Sequence, residues 1–344
     1  MSSTPPWMAQ LAQMMASSSA PLIQAFMMDD TDCLTVEFSG DRPAAAAVPR
    51  PLLLQAASIS KVVTSVLCHQ LHHNGTIDVH QPLLFDQLGP VMIDRRRGVG
   101  LPSVLDLLEH RGGATVKGFD GYDRGAVLPT LNEVIAGTGA ARNDPIQLAD
   151  PSGSGSYSGG GYCLLQRVLE RSSGTGFTDL TAEMFTGLGI TGAVMGVLPP
   201  DQHHRVASGH DADDRPIPGR WRDYPESAAA GLWCGIQDLG VLAAALLSPD
   251  SVEMRLIRAR AATASTRWAG GFTLLRDAER ELYFHTGESI GYRSLLALDM
   301  TARRAVALLC NSESADGLLK ACLERLLTST PATVPSALRV GGSA

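Results

Sequence analysis

The sequence predicts an α+β fold: an antiparallel sheet flanked by helices, with a mostly helical domain inserted into it. Three observations predict it. Asp32 to Phe38 alternates as a half-buried strand does. Roughly residues 80–220 are loop-rich, with short helical segments punctuated by glycine. Beyond residue 267, four strand-like segments follow one another across short turns, and strands joined that way pair antiparallel. The expected division is a discontinuous sheet domain, residues 1–75 and 225–344, and a mostly helical domain, residues 76–224.

Each element has its own reason. Residues 1–31 are rich in Met, Ser and Pro and read as an adaptable helix or a loose lead-in to the strand 32–38. Residues 44–51 are a connector of small residues. A helix starts near Ser58, runs through Val62, Val63, Val66, Leu67 and Leu71 at helical spacing, and stops before Gly75. Val104 to His110, Leu131 to Ala136 and Gly161 to Arg171 are the helical segments of the middle. A further helix covers about Gln237 to Leu247. The strand-like segments are Arg267 to Leu275, Glu281 to His285, Tyr292 to Met300 and Ala305 to Cys310. Ala315 to Leu327 closes the chain's ordered pattern as an amphipathic helix.

Composition excludes several classes. The chain has 344 residues, 44% hydrophobic and 18% charged, which is ordinary for a globular protein with a full-sized core. Lys and Arg number 28 against 35 Asp and Glu, a net charge of -7. That balance leaves no excess positive charge to displace counterions from phosphates, so a nucleic-acid partner is not expected. No run of about 18 apolar residues occurs, so no membrane-spanning helix is expected. Residues 1–41 contain no Lys or Arg, so a basic signal-peptide segment is missing and a cytoplasmic location is expected. The six cysteines show no C-x-x-C spacing and read as buried free thiols.

Three short motifs carry chemistry. Ala57-Ser58-Ile59-Ser60-Lys61 holds Ser-x-x-Lys at a helix start. Residues i and i+3 share a helix face, so Lys61 can stand beside the Ser58 hydroxyl. An alcohol needs a base to take its proton, and a lysine serves only where burial or nearby positive charge lowers its pKa. The chain has only three lysines, Lys61, Lys117 and Lys320. Ser60 is the rival nucleophile, but it adjoins Lys61 and points to another face. Tyr157-Ser158-Gly159 lies in a glycine-rich loop, where a phenol near an ammonium can move a proton to a leaving group. His285-Thr286-Gly287-Glu288 ends a strand. A glycine there lets a substrate backbone approach closely, and the Glu288 N–H could form an oxyanion hole with that of Ser58.

Together the three resemble the serine β-lactamase and penicillin-binding-protein superfamily, in its class C β-lactamase, D-alanyl-D-alanine carboxypeptidase and esterase branch. The order is Ser-x-x-Lys, Tyr-x-Asn, then (Lys/His)-Thr-Gly. Gln55 to Lys61 is similar to that family's nucleophile segment, and Asn74-Gly75-Thr76-Ile77-Asp78 to the turn after it. Leu105 to His110 resembles its Leu-Leu-x-His segment, and Tyr157 to Glu170 its second-motif loop and helix. Ala228 to Leu239 and His285 to Ser294 resemble two later segments. The likeness covers roughly residues 50–325.

The resemblance implies a β-lactamase/transpeptidase-like fold with the site in a cleft between sheet and helical domain. It implies that Ser58 attacks a carbonyl to form an acyl-enzyme, that Lys61 and Tyr157 share the proton traffic, and that the N–H groups of Ser58 and Glu288 hold the oxyanion. His285, Thr286, Gly287 and Gly159 would contact substrate. Gly159 stands where the second motif has Asn, which removes a side-chain amide. His285 replaces a lysine and leaves a cation only near or below its pKa. Glu288 puts a carboxylate where a small residue is usual, which would repel an anionic substrate. The stretch before Ser58 is short for the family and predicts one or two strands fewer in the sheet.

Other features have simpler readings. His69, His72 and His73 have helical spacing that could bind a metal, but no carboxylate partner is evident, and neither a metal nor a cofactor is expected. Trp221 and Tyr224, with Trp233 near, could wall an acyl pocket. Arg95-Arg96-Arg97 reads as a solvated loop. The expected function is a serine hydrolase acting on a small-molecule ester, amide or acyl substrate. The alternatives are an acyltransferase that passes the Ser58 acyl group to an alcohol or amine in secondary metabolism, and a non-catalytic binding protein. The sequence does not give the oligomeric state.

Overall fold

The computed structural model describes residues 4–39, 51–93, 100–149, 155–262, 267–277 and 279–328. Most of the connector at 44–51 and the Arg95–Arg97 cluster lie outside them. The elements that build the site are, in chain order, α1 (Pro6–Ala16), β1 (Leu22–Met28), β2 (Cys33–Ser39), β3 (Leu54–Ala57), α2 (Ser60–His73), α3 (Val104–Leu108), α4 (Leu131–Ala136), α5 (Gly159–Ser173), α6 (Phe177–Leu188) and β4 (Val194–Met195). After them come α7 (Ser227–Ala230), β5 (Leu232–Cys234), α8 (Ile236–Leu247), α9 (Val252–Ala261), β6 (Trp268–Ala269), β7 (Phe272–Arg276), β8 (Glu281–Ser289), β9 (Tyr292–Asp299), β10 (Arg304–Cys310) and α10 (Asp316–Thr328).

The main sheet has seven antiparallel strands in the order β6-β7-β8-β9-β10-β1-β2. Its centre is apolar on both faces, and β10 shows why. Ala305, Ala307 and Leu309 join one core with α8, while Val306, Leu308 and Cys310 join a second core with α1 and α10. A strand covered on both faces must read as a continuous apolar run. β1 is built the same way, with Ile23, Ala25 and Met27 under α1 and Leu22 in the other core. Of the reading for residues 1–31, the described part, 4–31, is therefore a helix followed by an interior strand, not a loose lead-in. The stretch before Ser58 thus supplies both β1 and β2 to the sheet. With no alternation in Leu22–Met28, periodicity alone could not show the strand.

The helices of the middle pack around α2 and α5 in the larger core, where α6, absent from the sequence reading, contributes Phe177, Met184 and Phe185. A small sheet, β3-β5-β4, also unforeseen, carries the chain into α2. The segment read as one strand, 267–275, is a hairpin. Gly270 and Gly271 turn it with φ of +48° and +79°, angles that glycine tolerates and other residues rarely adopt.

β3 and β8 meet at a close backbone approach. A Cβ added to Gly287 would lie 2.3 Å from the Ala56 carbonyl oxygen and 2.1 Å from Ser294 Oγ. The Ser294 hydroxyl donates to the same Ala56 carbonyl at 2.8 Å. Gly287 thus holds the strand leading into Ser58 against the sheet. It does not open onto substrate, as its position at a strand end had implied. Gly287→Ala is expected to lower stability by about 1–3 kcal/mol, because backbone must move to admit the methyl group. Urea denaturation checks this, and an unchanged midpoint would show that β3 does not depend on the contact.

Candidate active site

Ser58 follows β3 in a tight turn, and the strain is visible one residue earlier. Ala57 has φ +47°, a left-handed conformation costing a non-glycine residue about 1–3 kcal/mol. The Lys61 N–H donates to the Ser58 carbonyl at 3.0 Å, which places Ser58 at the mouth of α2 with Lys61 one turn along. Ser60 is buried, and its hydroxyl donates to the Ala57 carbonyl and accepts from the Leu232 N–H. Ser60 is therefore a tether between β3 and β5, and Ser58, which is partly exposed, is the serine that faces the cleft.

Two donors converge on Ser58. Lys61 Nζ lies 3.2 Å from Ser58 Oγ, and the Tyr157 hydroxyl donates to the same oxygen at 2.9 Å. Lys61 is 2% exposed. Its ammonium also donates to the Ala229 carbonyl of α7 at 2.8 Å and stands over the Tyr157 and Tyr162 rings at 5.0 and 5.4 Å. A buried cation needs such partners, and these fix its position.

Tyr157 precedes α5. The helix is capped by Ser158, whose hydroxyl accepts from the Gly161 N–H and donates to the Val116 carbonyl. The Ser158 N–H donates to His110 Nδ1 at 3.1 Å, and the His110 ring packs 4.6 Å from Tyr157. His110, noted in the sequence only as part of Leu-Leu-x-His, is thus the residue that seats the tyrosine loop. Because Nδ1 accepts, the neutral ring carries its proton on Nε2.

The third wall is β8. β7 ends its pairing at Thr273 opposite Phe284, so residues 285–289 run beyond it, paired to β9 alone. Thr286 and Glu288 line the cleft there with His285. His285 Nδ1 meets the Thr286 carbonyl at 2.6 Å and must carry the proton, which leaves Nε2 bare and without a hydrogen-bond partner. Burial, with Lys61 close by, pulls the imidazole down to about 3. The sequence allows a cation here only near or below the imidazole's pKa; with that pKa pulled down, His285 is neutral in the physiological range and offers an acceptor.

This carries a pH consequence. Burial lowers His69 and His110 as well. Between roughly pH 6.5 and pH 3 the unfolded chain binds protons that folded His285 refuses, so stability rises with pH across that window. The contribution tied to His285 is complete above about pH 6.5 and is lost as pH falls toward 3. The urea midpoint should drop between pH 7 and pH 4, and drop less in His285→Gln. An equal drop in both proteins would show that His285 is not buried neutral.

The cleft encloses about 470 Å³. Besides the residues above, its lining includes Lys117, Phe119, Trp268, Gly159 and Tyr224. A Cβ on Gly159 would lie 2.8 Å from the Phe119 ring, so an aromatic ring crowds the position where a side-chain amide was missed. Trp221 does not reach the cleft. It is fully buried, 5.7 Å from the Trp233 ring, and its indole N–H donates to Asp223. The aromatic wall is instead Tyr224, Phe119 and Trp268. Of the residues missed by sequence reasoning, Lys117 carried a signal as one of three lysines. Phe119 and Trp268 carried none, since their place depends on how distant loops fold together.

Among the described residues, no group of His, Cys, Asp and Glu is arranged to hold a metal ion, and no helix is long and apolar enough to cross a membrane. All six cysteines are free, and only Cys33 is exposed.

Comparison with known proteins adds a family. The family model described as Beta-lactamase matches residues 34–327. No curated protein matches the chain in sequence. Solved structures share the fold at low identity. SurE has a TM-score of 0.73 at 22% identity, covering 98% of this chain and 78% of its own. A beta-lactamase/D-alanine carboxypeptidase from Yersinia pestis has a TM-score of 0.70 at 17% identity, covering 94% and 100%. A D-amino acid amidase from Ochrobactrum anthropi SV3 has a TM-score of 0.70 at 18% identity, covering 92% and 96%.

Proposed function

The chain belongs to the Beta-lactamase family, and from that membership we propose that it is a serine hydrolase cleaving an ester or amide through an acyl-Ser58 intermediate. The observation that carries this is the convergence of Lys61 Nζ and the Tyr157 hydroxyl on Ser58 Oγ. In this reading one member of the Lys61–Tyr157 pair enters the reaction without its proton and takes that of Ser58, while Ser58 Oγ bonds to the substrate carbonyl carbon and the carbonyl π electrons move to the oxygen. That pair returns a proton to the departing alcohol or amine, and water then releases the acyl group. The N–H groups of Ser58 and Glu288 are assigned to the oxyanion.

The same geometry bears on substrate class. The bare Nε2 of His285 and the exposed carboxylate of Glu288 disfavour a substrate carboxylate. The crowding of Gly159 by Phe119 favours an apolar group there. A substrate that brings no carboxylate to this cleft is therefore proposed.

Three donors test this: an activated short-chain ester, a cephalosporin and a D-alanyl-D-alanine peptide. The neutral ester is expected to give the highest kcat/KM. Faster hydrolysis of either anionic donor would reject the exclusion of a carboxylate, and silence from all three without any acyl adduct would reject the hydrolase. Diversion of product to an added alcohol or amine, with acylation unslowed, would identify an acyltransferase using the same intermediate.

A further inference from the structure

Beside the serine cleft lies a second cavity of about 430 Å³, and the two share Lys117, Gly118 and Phe119. Glu226 lines this second cavity together with Tyr122, Arg142 and Asn143. The Glu226 side chain belongs to a residue only 1% exposed, and its Oε2 has no hydrogen-bond partner. Glu226 stands at the start of α7 but caps no amide of that helix with its side chain. Burial pushes its carboxyl up to about 7, and only a hydrogen bond from its own backbone amide pulls the other way. A buried carboxyl left this way costs stability unless something supplies a donor.

Neither cation of the lining supplies it: Lys117 makes no ion pair with Glu226 among the described residues, and Arg142 is engaged elsewhere. Arg142 stacks over Tyr122 at 4.8 Å, donates to the Gly121 carbonyl at 2.9 Å and faces Asp123 at 3.7 Å. Asp120 and Asp144 add further negative charge to the lining. The unmet group at the wall of the cavity is thus a carboxyl oxygen, an acceptor once ionised, while Phe119 and Tyr122 offer aromatic surface.

We infer that this cavity is a subsite for a primary ammonium group, received by Glu226 Oε2, with an apolar body lying against Phe119 and Tyr122. Because Lys117, Gly118 and Phe119 border both this cavity and the serine cleft, the ammonium is assigned to one part of the substrate cleaved there. That last role rests on the acyl-serine reading; the binding itself does not.

The test is calorimetric titration of the full-length chain with 2-phenylethylamine, 2-phenylethanol and 3-phenylpropionate. The proteins are wild type, Glu226→Gln, Glu288→Gln and Ser58→Ala. The amine is expected to bind wild type at least about tenfold more tightly than the alcohol or the carboxylate, and to lose at least about tenfold in Glu226→Gln. It should bind Glu288→Gln as wild type, which excludes the exposed carboxylate of the serine cleft as its partner. It should bind Ser58→Ala equally, whatever happens to turnover, so failure of the subsite and failure of the hydrolase are separate results. If Glu226→Gln does not fold, the ranking of the three probes in wild type and Glu288→Gln decides. Equal binding of the three probes, indifference to Glu226→Gln, or loss in Glu288→Gln would overturn the proposal.

Discussion

Ser58→Ala is expected to lower turnover of an activated ester by roughly 10⁴- to 10⁶-fold, the range seen when a nucleophile acting within a coupled unit is removed. The oxygen that accepts from both Lys61 and Tyr157 is gone, and neither group can itself hold an acyl chain in that position. The fold should tolerate the change. Ser58 is partly exposed, Lys61 keeps the Ala229 carbonyl, and water can reach Tyr157, so stability should move by about 1 kcal/mol or less. Steady-state kinetics beside a denaturation curve separates the two effects. Retained turnover in a folded variant would show that the converging donors serve some purpose other than activating Ser58.

Lys61→Met should cost about 10²- to 10⁴-fold in kcat/KM, the usual weight of positioned proton transfer. Met nearly matches the length of the lysine stem, so α2 and its packing should persist. Two stability effects oppose each other. The buried Ala229 carbonyl loses its donor, worth about 1–3 kcal/mol, while the cost of burying an ammonium disappears. The variant should therefore fold and acylate slowly, which stopped-flow mixing with a chromogenic ester would resolve as a slowed burst. A rate within tenfold of wild type would mean that Lys61 only positions Ser58 and that Tyr157 alone moves the proton.

What the sequence revealed and what it hid follow from the range of the interactions involved. Lys61 and Ser58 are one helical turn apart, so their proximity is local and readable. Tyr157 was found through a motif, although 99 residues separate it from Ser58. The C-terminal strands were legible because short turns join them in sequence. β1 was not, because both of its faces are covered and its pattern has no period. The charge state of His285 was also hidden: its residue type predicts a titrating cation, but only the three-dimensional burial beside Lys61 makes it neutral. Trp221 looked like a pocket wall for the opposite reason, since an aromatic residue near Tyr224 in sequence can still turn into the core.

The central claim is the acyl-Ser58 intermediate, and mass spectrometry of the quenched protein tests it most directly. After mixing with the activated ester, the intact chain should gain the mass of one acyl group. Digestion should place that mass on the peptide containing Ser58, and Ser58→Ala should gain none. Turnover with no mass gain, or an acyl group mapped to another residue, would contradict the account.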